Sequence, residues 1–252
     1  MTTSASQLIE SVVEKYDDEL VELRRDIHRH PELAWSESRT GELAAQRVEQ
    51  AGWRVTRLPR SGFVADLGEG DRVVALRADM DALPIPDRTE DPWRSTVPDV
   101  AHACGHDVHT TCLVGTALAL AEVHERGELP GAARLLFQPA EEVMPGGAKH
   151  LVAQGALEGV ERVFALHCDP AVDVGRVGLR SGALTSAADR IEVRLEGTGG
   201  HTSRPHLTGD LTFALAKVTS ELPAVLSRRM DPRSGVSVVW GIVRAGAAPN
   251  VI

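Results

Sequence analysis

The stretch His102-Ala103-Cys104-Gly105-His106-Asp107-Val108-His109 puts one thiol and three imidazoles within eight residues. In an extended segment, residues two apart share a face, so His102, Cys104 and His106 can point the same way. Carboxylates and a further imidazole recur in Asp79-Met80-Asp81, Pro139-Ala140-Glu141-Glu142 and His167-Cys168-Asp169. Taken singly, each has an ordinary explanation. A lone cysteine is usually buried filler, a Glu-Glu pair is usually solvated, and a histidine after a strand is often a satisfied core residue. Together they form a soft thiolate, imidazole and carboxylate set that suits a borderline divalent metal such as zinc, with manganese or cobalt also acceptable. Two consecutive carboxylates beside a core are costly unless something cationic receives them.

Other catalytic schemes fit poorly. There is no Gly-x-Ser-x-Gly nucleophile elbow. Gly146-Gly147-Ala148-Lys149 lacks the spacing of a phosphate-binding loop, and no Gly-x-Gly-x-x-Gly follows the early strands. Cys104 as a nucleophile paired with His106 stays open, although neighbouring carboxylates would raise its pKa.

The elements that must position these groups alternate between two periods. Residues 4–29 read as a helix, with Leu8, Val12, Tyr16, Leu20, Leu23 and Ile27 on one face. Ser4 with Gln7 fits a capping box, and Pro31 stops the helix. A second helix is expected over 37–50, with Gly52 just past its end, and a third over 113–123. Apolar runs at 72–78, 134–138 and 162–166 read as buried strands. Strands alternating with helices indicate an α/β layer fold with a largely parallel sheet. In such sheets ligands bind beyond the carboxyl ends of the strands, where the Asp79, Glu141 and His167 segments fall. After a small, polar stretch at 181–188, residues 190–195 alternate like a half-solvated strand. A helix over 210–227 and a strand over 235–243 would complete a βαβ piece of a small α+β domain.

The 252 residues, 42% hydrophobic and 25% charged, describe a globular chain and not a disordered one. A net charge of −9 without a basic patch disfavours nucleic-acid binding. No apolar run approaches the ~18 residues of a membrane span, and the acidic first thirty residues lack the apolar core of a signal peptide. Cys104, Cys112 and Cys168 are too few, and odd in number, for a secreted disulfide framework. A reduced, cytoplasmic protein is expected.

The motifs His28-Arg29-His30-Pro31-Glu32-Leu33, LRADMDALP (76–84), HACGHDVHT (102–110), FQPAEE (137–142) and the His167 segment resemble the metal-dependent amidohydrolases that include hippurate hydrolase, N-acyl-amino-acid deacylases and auxin-conjugate hydrolases. These belong to the wider dinuclear aminoacylase and carboxypeptidase group. The resemblance covers nearly the whole chain. It implies a zinc-peptidase-like α/β catalytic domain over 1–185, with a mostly parallel sheet flanked by helices. An incomplete α+β, ferredoxin-like dimerisation or lid domain would follow over 186–252.

The resemblance also implies two divalent ions, zinc or manganese, with cobalt and nickel as further candidates. Cys104, His106, Glu142 and His167 would be ligands, Glu141 the general acid/base, and Asp81 an orienting residue. Gly200-His201-Thr202 with Pro205-His206, and Pro249-Asn250-Val251-Ile252, match family stretches in which His201 stabilises the oxyanion and Asn250 contacts substrate. The implied reaction is hydrolysis of the amide of an N-acyl or N-aminoacyl amino acid by a homodimer, with no nucleic-acid or membrane partner.

There are departures from the family pattern. Members usually continue past the Asn250 motif and carry a last histidine ligand there, so a chain lacking that part is expected to be poorly soluble or partner-dependent. Cys168, and the run His201-Thr202-Ser203, are also variant. Two rival readings accompany the amidohydrolase. One is an inactive remnant that only binds or oligomerises. The other is a same-fold dipeptidase or cell-wall-precursor deacetylase.

Overall fold

The computed structural model describes residues 5–252. Ser4, and with it the capping-box expectation, lies outside the described residues. The chain divides into two units, residues 1–184 and 185–252.

In the first unit, α1 (Ala5–Arg29) buries the stripe read from its periodicity. Leu8 and Val12 pack on Leu118, Ala119 and Val123 of α3 (His106–Glu125). Helix α2 (Ser38–Gln50) buries Ala44, Ala45 and Val48. Its first turn is capped from a distance. The Glu32 carboxylate accepts from the backbone nitrogens of Arg39 at 3.0 Å and Thr40 at 2.7 Å, satisfying donors a helix start leaves orphaned. Glu37, at the N-cap position, is thereby left for another task.

The sheet has the order β1-β2-β4-β3-β5. Strands β3 (Val73–Asp79), β4 (Ala132–Gln138) and β5 (Val160–Ala165) are the expected parallel set, β3 lying between the other two, but β5, expected to be buried, is exposed along most of its length because it has a paired neighbour on one side only and no helix over Val163 and Phe164 among the described residues. The short β1 (Arg54–Arg57) and β2 (Phe63–Leu67) add an antiparallel margin that the sequence reading passed over. Phe63 and Phe137 stack at 4.2 Å across β2 and β4. Helix α3 is apolar on nearly every side, as a helix covered by both sheet and helices must be. Trp53 Nε1 donates to the Ala117 carbonyl at 3.0 Å and ties the β1 approach to its middle. A short α4 (Gly147–Ala153) follows β4.

The second unit corrects an expectation. Helix α5 (Leu211–Arg229) forms, its first turn capped by Asp210, which accepts from Phe213 N at 2.8 Å. Residues 190–195 and 235–243 form no strand. Val193, Val239 and Ile242 stay exposed, and among the described residues no ladder includes either segment. Alternation specifies which face of a strand would be buried, but a strand exists only against a hydrogen-bonded neighbour. What this unit does pair is Gly200-His201-Thr202 with residues 250–252. His201 bridges Val251, Thr202 N donates to Asn250 O at 3.2 Å, and Ile252 N donates to Gly200 O at 2.9 Å.

Candidate metal centre

The carboxyl ends of β3, β4 and β5 converge with the start of α3. Helix α3 begins earlier than its apolar core suggests, at His106. Gly105 before it has φ +86°, and a Cβ there would stand 3.0 Å from Cys168 Sγ. A left-handed glycine lets the chain reverse sharply between Cys104 and His106, so the two side chains reach one point from different backbone directions. His102 does not join them. The expectation that His102, Cys104 and His106 share a face fails because the helix begins within the motif.

Three donor sets have all their ligand atoms within 4.8 Å of one another: Cys104 with His106 and His167, Asp79 with His106 and His109, and His106 with Glu141 and Glu142. His106 belongs to all three. It is fully buried, and neither ring nitrogen has an aligned hydrogen-bond partner. Carboxylates surround it: Asp81 Oδ1 at 3.3 Å from Nδ1, and Asp79 Oδ2 at 3.6 Å and Glu142 Oε1 at 3.8 Å from Nε2. Burial opposes its charge, yet these carboxylates raise the His106 pKa above its ordinary value. The same excess of negative charge receives a divalent cation in place of that proton, so the residues present fit a metal.

The imidazoles around His106 are fixed by their second nitrogens. His167 Nδ1 donates to the Cys168 carbonyl at 2.6 Å, which leaves the Nε2 lone pair facing Cys104 Sγ at 3.5 Å. This is the arrangement by which a backbone carbonyl sets the tautomer of a ligand. His109 is used on both sides. Nδ1 donates to Asp79 Oδ1 at 2.6 Å and Nε2 accepts from Cys168 N at 2.8 Å. Burial pushes the Asp79 carboxyl up, but His109, Arg77 and His106 outweigh it and hold it at about 2. Arg77 links β3 to β4 by donating to Gln138 Oε1 at 2.9 Å and to Asp79 Oδ2 at 2.6 Å.

The two glutamates are presented by a clamped turn. Asp81 accepts from Glu141 N and Glu142 N, each at 2.9 Å. Ala140, one residue earlier, has φ +51°, and its nitrogen donates to Glu37. Burial, then Glu142 and Asp79, raise the Glu141 pKa. Burial and Glu142 push the Cys104 thiol up to about 12, which disfavours it as a free nucleophile. Glu141 is exposed and Glu142 half-buried.

Of the residues singled out from sequence, Asp81, Cys104, His106, Glu141, Glu142 and His167 meet here. His201 and Asn250 lie in the second unit, both exposed. There Ser203 donates to His201 Nδ1 from its backbone nitrogen at 3.1 Å and lies 2.9 Å away through its hydroxyl. Sequence reasoning missed Glu37, and it named Asp79 and His109 within their motifs without giving either a role. Asp79 carried a signal, being the last residue of a buried strand two positions from Asp81.

A Rhodococcus jostii protein named as a glutamate–cysteine ligase is 47% identical over 238 residues, which are 94% of this chain and 30% of that one. An N-acyl-L-amino acid amidohydrolase of Geobacillus stearothermophilus is 36% identical over 247 residues, 97% of this chain and 66% of that one. The chain thus spans less than two thirds of these relatives. A crystal structure of a dinuclear metal-binding peptidase of the M20 family from Bacillus subtilis superposes with a TM-score of 0.63 at 38% identity, covering 67% of this chain and 47% of that one. The model of peptidase family M20/M25/M40 matches residues 75–243, and the chain belongs to that family.

Proposed function

We propose that the protein is a metal-dependent amidohydrolase that cleaves the amide bond of N-acyl amino acids. The observation that carries this reading is the convergence of Glu141, Glu142 and His167, after the ends of β4 and β5, with Cys104 and His106 at the start of α3, in a family that contains a dinuclear metal-binding peptidase. The name of the Geobacillus relative supports the substrate class.

Cys104, His106, Glu142 and His167 would hold the metal. Two divalent ions held there would supply a water of lowered pKa and a polarised carbonyl oxygen. The thiolate favours zinc, while the carboxylates and imidazoles also accept manganese. The remaining work falls to the protein. Glu141, exposed and with a raised pKa, takes the proton from the attacking water and delivers it to the leaving amine. Asp81 keeps Glu141 and Glu142 apart in function by fixing both backbone nitrogens, so that one carboxylate binds while its neighbour moves a proton. His201 is assigned to the oxyanion and Asn250 to substrate contact on the strength of their motifs.

The same reading makes residues 1–185 the catalytic portion and 186–252 the start of a lid or dimerisation domain, in a homodimer. Three free cysteines, two of them exposed, support a reducing, cytoplasmic setting. No helix among the described residues is long and apolar enough to cross a membrane. The test is metal content by mass spectrometry, together with kcat/KM on a panel of N-acetyl, N-benzoyl and N-aminoacyl amino acids, on the full-length protein. Two bound ions and turnover of N-acyl substrates are expected. A protein that binds no metal and cleaves none of the panel would overturn the reading.

A further inference from the structure

His167 stands at the least supported edge of the sheet. Strand β5 has a neighbour on one side only, and Val163, Phe164 and Cys168 are exposed. Among the described residues, a single backbone hydrogen bond ties His167 and Cys168 to the rest of the unit, that from Cys168 N to His109 Nε2 at 2.8 Å. His109 is held far more firmly. It lies in the first turn of α3 with only 5% of its surface exposed. Its ring is 4.8 Å from that of His167 and 5.3 Å from that of His106.

The other side of His109 is anchored in the middle of the sheet. Nδ1 donates to Asp79 Oδ1 at 2.6 Å, and the second oxygen of Asp79 accepts from Arg77 at 2.6 Å. Thr110, the next residue of α3, donates from Oγ1 to the Asp79 carbonyl at 2.9 Å. Helix and strand are therefore pinned to each other at this point. A continuous path runs from the end of β3 through one imidazole to the backbone after β5. It returns from the Cys168 carbonyl to His167 Nδ1 at 2.6 Å. Both nitrogens of His109 are engaged along it, one as donor and one as acceptor. In the donor set of Asp79, His106 and His109, His109 thus has no lone pair left for a cation.

We propose that His109 is a positioning residue of the metal centre and not a ligand: it carries the fixed end of β3 to Cys168 and so holds His167 with Nε2 towards Cys104. The inference rests on the metal-dependent reading above. Groups that orient a ligand in this way govern metal affinity nearly as strongly as the ligands do. Of the two bonds, the one to Cys168 bears directly on His167, and the one to Asp79 steadies the strut.

Two substitutions separate these bonds. The amide oxygen of glutamine can stand where Nε2 accepts, and the amide nitrogen of asparagine where Nδ1 donates. His109→Gln therefore keeps an acceptor for Cys168, and His109→Asn keeps a donor for Asp79. Zinc affinity is measured on the full-length protein by competition with a chromogenic chelator, without substrate. His109→Gln is expected within about threefold of wild type, and His109→Asn weaker by about 10–100-fold. The visible absorption bands of the cobalt-loaded proteins should keep their positions in both variants, because no ligand is exchanged. Equal loss in the two variants, loss confined to His109→Gln, or wild-type affinity in His109→Asn overturns the proposal. A shifted cobalt spectrum overturns it as well, by making His109 a ligand. Should His109→Asn not fold, the affinity and cobalt spectrum of His109→Gln still decide. Wild type that binds neither zinc nor cobalt would overturn this inference together with the metal-dependent reading. Metal binding with the expected variant pattern, but no cleavage of any N-acyl amino acid, would overturn the substrate assignment alone.

Discussion

Glu37 Oε1 lies 2.6 Å from the backbone nitrogen of Ala140, across 103 residues of sequence. Its other oxygen accepts from Ser61 Oγ at 2.8 Å. Ala140 has φ +51°, a conformation that costs a non-glycine residue about 1–2 kcal/mol. This fully buried carboxylate, whose pKa burial raises, therefore holds the strained residue that aims Glu141 and Glu142. Glu37→Ala is expected to lose about 2–3 kcal/mol in urea denaturation and to retain less metal after dialysis. Glu37→Gln, which keeps one acceptor, should recover part of both. An alanine variant as stable and as metal-rich as wild type would show that the turn holds itself.

The neighbouring glutamates should separate cleanly. Glu141→Gln is expected to lower kcat about 10²–10⁴-fold with metal content unchanged, because its carboxylate moves a proton. Glu142→Gln should lose metal as well as turnover. Metal analysis beside kinetics on the two variants decides the matter, and the reverse pattern would exchange their roles.

Gly147 is required by contact alone. A Cβ there would lie 1.8 Å from the Pro139 carbonyl oxygen, far inside any van der Waals limit. Backbone meets backbone at this point, so no rotamer change relieves the clash. Gly147→Ala should cost at least about 3 kcal/mol, read as a lowered denaturation midpoint. An unchanged midpoint would mean that the Pro139 turn shifts freely.

Asp87 carries an acid dependence outside the metal centre. Burial pushes its carboxyl up, but the Ser95 and Thr89 donors outweigh this and hold it at about 2. A folded-state pKa below the unfolded one contributes stability above the ordinary carboxylate range, lost as pH falls from about 4 towards 2. Asp87→Asn should therefore be less stable than wild type by about 1–2 kcal/mol at neutral pH. The gap should narrow below about pH 4. Denaturation curves of both proteins at several pH values check this; a gap independent of pH would assign the loss to packing.

Much of the first unit was legible because its signals are local. The stripe of Leu8, Val12 and Ile27 fixes a helix, and the apolar runs of β3 and β4 could hardly be anything but buried strands. Strand β1 was not legible, since Arg54–Arg57 is mostly exposed and exists through its pairing with β2. The candidate ligands Cys104, His106, Glu142 and His167 were visible as motifs. Glu37 was hidden, because an acid at the start of a helix reads as a partner of the helix dipole, and only the fold reveals that Glu32 caps it instead. The second unit misled for the converse reason: the alternation at 190–195 is a strong local signal without a neighbouring strand to realise it.

The order β4-β3-β5 has a kinetic consequence. Asp79 and Asp81, Glu141 and Glu142, and His167 ride on three strands whose pairings are parallel and distant in sequence. Such contacts repay loop-closure entropy only once the intervening helix and its crossover are in place. No partial hairpin can assemble the donors early. A cation added during refolding would find its site only after β3 has gained both neighbours, so metal uptake would serve as a clock for completion of the sheet.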